Sequence, residues 1–430
     1  MSSAPAAPEV TTELFGGTFV IDGSGFYPGL ELINLVVTSL DGPLPSGDIV
    51  QVRRVAHDFA RRLIRDGGLT EAVRRNVILD EHTEVAVGKL FRCLELPTPN
   101  VVKAKSWGRT HFFPYSRSLV HWDARVRYRA KGEEVSAERI YLRGGGAYAF
   151  TVLRKDPNVG RRQAIQDGFN LLYPLHDDSP LDRIAAVLRA QGYVDSDPVE
   201  DVIERKSVVV ESRWTELYRD GVANILSYVG LPSVQRVRAL MSWTGIWIVL
   251  LQASESSRYV NASYKGIILD CAGEHAQLRR AAQRSLKESL SVIGEASLAA
   301  SVKLGSKLNA SQLGQIKGFF ASTASTCGLL NSAKGRRHFT LKLDAIESLV
   351  MASVCEGEER EFESFAGDWL FGRCQLVIGR SAAESASLLD TFDATIFEEN
   401  ERALAERIRA TGMLRVYSDA TRMVAAGAVQ

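Results

Sequence analysis

The feature that most constrains this fold is the apolar run Met241–Leu251 (MSWTGIWIVLL). No other apolar run in the chain is as long, yet as a helix it is too short to span a bilayer, which needs about 20 residues. The run is therefore read as the middle of a long apolar helix over 233–254. Trp243 and Trp247, one turn apart, are read as core aromatics.

The 430 residues exceed one ordinary domain, and two or three are expected. The composition, 45% apolar and 24% charged, is that of a soluble globular protein. Cysteines stand far apart at 93, 271, 327, 355 and 374, with no Cys-x-x-Cys pair. That argues against a zinc site or a disulfide framework and fits a reducing, cytoplasmic setting. Residues 1–12 lack a basic and then an apolar stretch, so they read as a disordered leader and not a secretory signal.

The spacing predicts strands at Leu30–Thr38 (LELINLVVT) and Thr83–Leu94, with a helix over about 49–65 between them. The clearest β pattern is 117–153. Val120, Trp122, Ala124, Val126 and Tyr128 alternate with Arg125, Arg127 and Arg129. After a turn at Lys131-Gly132-Glu133, Ile140 and Leu142 alternate with Arg139, Tyr141 and Arg143. Gly144-Gly145-Gly146 is expected to end that strand, with Ala147–Leu153 resuming it. Helices are expected from about 158 onward: 181–189, 213–229, 233–254 and 278–293, the last with a basic stripe of Arg279, Arg280, Arg284 and Lys287. The short run Gly266–Cys271 reads as a buried strand. Further helices are expected near 342–355, 359–371, 381–391 and 395–411, followed by a hairpin over 413–424.

These elements give an α+β fold class: a β-rich N-terminal half, a helical middle and a C-terminal winged-helix-like domain. The expected boundaries are 1–12 (leader), 13–157, 158–335 and 336–430.

Charge is segregated in a chain whose net charge is only +1. Residues 101–165 hold fourteen Lys/Arg against five acids, and residues 296–343 hold seven Lys/Arg and no acid. Residues 344–430 reverse the sign, with sixteen acids against eight bases. Two basic blocks point to a polyanion, most simply nucleic acid. In the first block the predicted hairpin gathers Arg125, Arg127, Arg129, Arg139, Tyr141 and Arg143 on one surface. Trp107, Arg109, His111, Phe112, Phe113, Tyr115 and Arg117 lie just upstream. Arginine forks suit phosphate oxygens and aromatic rings suit bases. In the second block Lys334, Arg336 and Arg337 are the expected phosphate contacts. The alternatives are a solvated sheet face paired with acids elsewhere, and a Ser/Ala-rich packing segment.

The runs FTLKLDAIESLV and MLRVYSDATRMV, with the order of three or four helices before a hairpin, resemble a winged-helix module. They are also similar to the C-terminal ends of uncharacterised bacterial proteins encoded near phage-defence genes. That resemblance implies a DNA-reading helix before the wing. Here the helix carries Glu398, Glu399, Glu401 and Glu406 against Arg402, Arg407 and Arg409, which would repel phosphates, so protein docking is favoured for this module.

Three weaker motifs complete the inventory. Gly144–Ala149 formally fits G-x-G-x-x-A, but a strand is expected where the dinucleotide fingerprint needs a helix. Asp197, Asp201, Glu204 and Lys206 loosely fit a metal-dependent nuclease core. Cys271 and His275, four apart, lack an orienting third residue, and a buried structural cysteine is favoured.

The sequence thus points to a non-enzymatic nucleic-acid-binding or adaptor subunit of a larger bacterial assembly, with phage defence as its setting. DNA is favoured over RNA, other subunits dock on the C-terminal domain, and no membrane, metal or cofactor is expected. A metal-dependent nuclease and a protein-only scaffold whose basic face docks an acidic partner are the alternatives.

Overall fold

Trp243 and Trp247 show how the interior is organised. A buried indole N–H needs an acceptor, and both find one on the same neighbouring helix. Trp243 Nε1 donates to the Tyr218 carbonyl at 3.2 Å, and Trp247 Nε1 to the Trp214 carbonyl at 2.8 Å. The Tyr218 ring stacks on Trp247 with centroids 4.1 Å apart, and its hydroxyl shares a 3.0 Å hydrogen bond with Thr244. A Cβ at Gly221 would stand 2.4 Å from the Trp243 ring, so glycine is what lets the two helices close.

The structure is a computed structural model. It describes residues 7–21, 27–48, 50–55, 81–96, 112–120, 124–127, 136–139, 145–174, 181, 183, 198–203, 208–305, 307–332, 336–417 and 420–427. Its helices are α1 (Ala7–Phe15), α2 (Pro28–Thr38), α3 (Glu81–Cys93), α4 (Gly145–Arg154), α5 (Val159–Leu172), α6 (Arg213–Ser227), α7 (Ser233–Tyr259), α8 (Ala276–Lys303), α9 (Ala310–Thr326), α10 (Leu343–Ser353), α11 (Arg380–Ser385) and α12 (Ala394–Ala410). A π-helical stretch covers Phe365–Arg373. The strands are β1 (Val50–Val55), β2 (Ala124–Arg127), β3 (Ser136–Arg139), β4 (Pro198–Ile203), β5 (Ile267–Ile268), β6 (Arg360–Glu361), β7 (Leu376–Val377), β8 (Leu414–Val416) and β9 (Arg422–Val424).

Helix α7 is the axis, with α2, α6, α8, α9 and α10 packed on it. By length and composition alone it could cross a bilayer. Here its apolar residues are buried among those helices, in one cluster that runs from Ala7 to Ala426. A smaller cluster, including Leu278, Ala281, Val377, Ala383 and Phe397, lies beside it. Strands occur only in small sheets among the described residues. β1 pairs antiparallel with β4, and β2 with β3; β5 and β7 are parallel, and the remaining sheet has the order β6-β9-β8.

Among the described residues helix far outweighs strand, and the strands are short, which overturns the expected α+β class with its β-rich N-terminal half. Particular elements show why. The run Leu30–Thr38 is not a strand but most of α2, and every residue of that helix is buried, Glu31 and Asn34 included. Burial on all sides leaves no polar face and so no period to read. Pro28 marks the start, because a proline in the first turn gives up an N–H that has no helical partner anyway. The stretch Ala147–Leu153 is likewise not a strand but part of α4. The glycines before it serve helix contact: a Cβ at Gly146 would lie 2.3 Å from the Pro28 carbonyl oxygen.

Residues 83–93 are helical within α3, where Val87, Leu90 and Phe91 also keep helical spacing. Residues 50–55, expected within a helix, form β1. Residues 7–12, assigned to the leader, form the first part of α1 and place Ala7, Val10 and Thr11 in the interior.

Candidate nucleic-acid interface

Helix α8 is amphipathic along its length. Leu278, Ala281, Ala282, Leu286, Ile293, Ala296 and Ala300 recur at helical spacing and are buried, which fixes the opposite face toward solvent. Arg280, Arg284 and Lys287 fall on that face at the i, i+4, i+7 positions of one stripe, and all three are exposed. None of them makes an ion pair among the described residues. Glu288, one turn beyond Arg284, is the nearest acid along the helix.

Several other arginines are committed to the fold. Arg219 is fully buried between Glu211 and Glu216, and Arg161 pairs with Asp156 and Asp220, each at 2.6 Å. Arg238, Arg373, Arg380 and Arg415 also have carboxylate partners.

The stripe adjoins the connection that carries Arg336 and Arg337. Asp270 joins them. It follows β5, and its side chain is fully buried, with Oδ1 accepting the Gly273 N–H at 2.7 Å. Oδ2 has no hydrogen-bond donor. Instead Arg279 Nε stands 3.8 Å away and His338 Nε2 3.7 Å away. One carboxylate thereby draws the start of α8 and the end of the 336–338 connection together. Arg336 is exposed and Arg337 half-buried, neither with an ion pair among the described residues. Lys334 lies outside the described residues.

The acid-free block is explained largely by packing. Ala296, Ser297, Ala300 and Ser301 of α8 and Ala321, Ser322 and Ala324 of α9 are buried where these helices meet the core. Small residues let helices approach, and acids have no place there. Lys303 pairs with Glu13.

For the arginine hairpin, the structure describes the backbone of Arg125 and Arg127 in β2 and of Arg139 in β3. Arg129, Tyr141 and Arg143 lie outside the described residues. The register sets Arg125 opposite Glu138, Arg127 opposite Ser136 and Arg139 opposite Ala124. Positions directly opposite share a pleat face, so the position of Arg139 falls with Ala124 and Val126, on the other face from Arg125 and Arg127.

Helix α12, expected to dock protein, is held inward by Asn400. Its Oδ1 accepts the Cys271 N–H at 2.7 Å and the Ala272 N–H at 3.2 Å, and its Nδ2 donates to the Leu269 and Ile378 carbonyls. The outer face presents Glu398, Glu399, Arg402, Glu406 and Arg409. Glu398 pairs with Arg380, and Glu399 with His275.

His275 is thus committed to Glu399. Cys271 is fully buried, and burial pushes its thiol up to about 12, which fits a structural thiol and not a nucleophile. Asp201 lies in β4 opposite Val52, while Asp197, Glu204 and Lys206 fall outside the described residues. No group of three metal-ligating side chains occurs among the described residues. The G-x-G-x-x-A segment does open a helix, but a protein carboxylate already occupies its amide end: buried Glu31 accepts the Gly146 N–H at 2.7 Å.

Asp270 and Asn400 were not recognised in the sequence. Asp270 has one signal there, a polar residue flanked by apolar ones in ILDC, whereas Asn400 sits among glutamates in EENER and has none. Comparisons with protein-family models, with curated proteins and with solved structures give no match for this chain.

Proposed function

We propose that this chain is a non-enzymatic nucleic-acid-binding or adaptor subunit of a larger assembly, and that α8 carries its phosphate contacts. One observation supports this most: Arg280, Arg284 and Lys287 form an exposed, unpaired stripe beside Arg336 and Arg337, while the arginines cited above are spent on internal carboxylates. Binding through such a stripe engages backbone phosphates, is independent of base sequence and weakens with salt. The hairpin arginines Arg125, Arg127 and Arg139 remain proposed contacts of the same kind. The acidic outer face of α12 is proposed as the docking surface for another subunit. The resemblance of FTLKLDAIESLV and MLRVYSDATRMV is the ground for a bacterial, phage-defence setting.

The test is binding of labelled single-stranded and duplex DNA and RNA to the full chain at two salt concentrations. Salt-sensitive binding that is lost in the triple variant Arg280→Glu/Arg284→Glu/Lys287→Glu supports the proposal. Absence of binding to every nucleic acid at low salt overturns it. Unchanged binding by the triple variant removes α8 from the contact surface.

A further inference from the structure

A cavity of about 960 Å³ opens between α1, the start of α4, the 208–212 segment and the last turns of α7. Its charged lining is unequal. Glu9, Glu13, Glu211 and Glu255 face it, with Arg258 as the lone cation among the lining residues. Three of these carboxylates have partners: Glu13 with Lys303, Glu211 with Arg219, and Glu255 with Arg258. Glu9 is exposed and makes no ion pair.

A second, independent feature points to a ligand. Tyr148 lines the same cavity at 3% exposure, its ring stacked on Trp247 and edge-on to Phe19. Its hydroxyl makes no hydrogen bond within the protein and, unlike those of Tyr27 and Tyr264, is not sealed, so it is open to a ligand in the cavity. The hydroxyl lies near the cavity wall, 3.2 Å from where a Cβ on Gly16 would stand. Burial, then the Glu255 and Glu211 carboxylates, push it up to about 12. It therefore stays neutral at physiological pH and can both donate and accept.

We infer that this cavity binds an aliphatic polyamine, with ammonium groups on Glu9 and Glu255 and one amine against the Tyr148 hydroxyl. The chemistry of the wall matches that of the ligand. Carboxylates and a phenol share the wall with Leu14, Phe15 and Leu251, and a polyamine likewise combines ammonium groups with methylene segments. An anion would meet an excess of carboxylates, and a neutral apolar molecule would leave Glu9 without the counter-charge that Glu13, Glu211 and Glu255 already have. The inference uses residues apart from the α8 stripe, so either can fail alone.

The test is calorimetric titration of the full chain with spermidine at low ionic strength, where screening is least. Saturable one-to-one binding is expected, weakened about fivefold by Glu255→Gln, as the loss of a partly exposed charge pair implies. Tyr148→Phe keeps the ring stack and removes only the hydroxyl, so weaker binding by this variant locates the amine even if Glu255→Gln fails to fold. No saturable binding overturns the inference. So does binding unchanged in both variants, equal binding of an uncharged diol of the same length, or binding of a lysine-rich peptide without any of spermidine.

Discussion

Arg161 grips Asp156 with both edges of its guanidinium: Nε donates to Oδ2 at 2.6 Å and Nη2 to Oδ1 at 2.8 Å. Asp156 is fully buried, and its second neighbour Arg219 is also sealed from solvent. Burial alone would push this carboxyl up. Hydrogen bonds from Arg161 and from the Asn158 N–H outweigh that and hold it below its usual range. A depressed native value stabilises the fold fully above the unfolded value of about 3.9, and the stabilisation is lost as pH falls below it. Asp156→Asn should cost about 2 kcal/mol at neutral pH, because it weakens the paired hydrogen bonds to Arg161 inside the protein, while Asp220, Glu211 and Glu216 still balance the two guanidiniums. It should also flatten the acid limb of a plot of urea midpoint against pH. Part of the limb should remain, because Glu211 and Glu216 are held down by Arg219 and Arg161 as well.

Two glycines should respond to alanine with opposite signs. Gly146→Ala forces a methyl against the Pro28 carbonyl of α2 and should lower stability by about 2 kcal/mol. Gly314 lies within α9 with nothing within 4 Å of a Cβ position, so Gly314→Ala should raise stability by about 0.5–1 kcal/mol. Urea unfolding of both variants checks the pair.

These two glycines also mark what was and was not legible in the sequence. Helices α6, α7 and α12 and the hairpin of β8 and β9 stood out because each has a face or a turn that differs from its surroundings. Helices α2 and α4 did not, because tertiary burial covers them on all sides and erases the period. Gly145 and Gly146, which read as a strand end, are the means by which α4 approaches α2. In the site, the stripe on α8 was visible as a basic face. Its freedom from acids was not, since pairing depends on residues far apart in sequence, as Arg219 with Asp156 shows. The register of β2 and β3 was equally hidden, because a shift of one residue moves Arg139 to the other face.

Salt dependence should report on the α8 stripe quantitatively. If Arg280, Arg284 and Lys287 each meet one phosphate, replacing them singly by alanine should lower the slope of log K against log salt by about 1 each. All three side chains are exposed, so circular dichroism and melting should stay close to those of the parent chain.

Thiol chemistry should separate the cysteines. Cys271, Cys327 and Cys374 are fully buried, and burial pushes each thiol up to about 12. Cys93 is exposed and Cys355 half-buried, its thiol also raised by burial and by Glu358. A colorimetric thiol reagent at pH 8 should label Cys93 first and Cys355 slowly, and all five only in denaturant.

Asn400→Ala should cost about 3 kcal/mol, since the Cys271 and Ala272 amides lose their shared acceptor in the interior. The larger consequence concerns the order of folding. Asn400 satisfies amides that precede it by 129 and 128 positions, and β5 finds its parallel partner only in β7. During synthesis, the middle of the chain must wait for a segment made more than a hundred residues later before its backbone is complete. Closing so long a loop is slow. Until it closes, the apolar strand Ile267–Ile268 stays unpaired at a stage when a partly folded chain is most prone to aggregate.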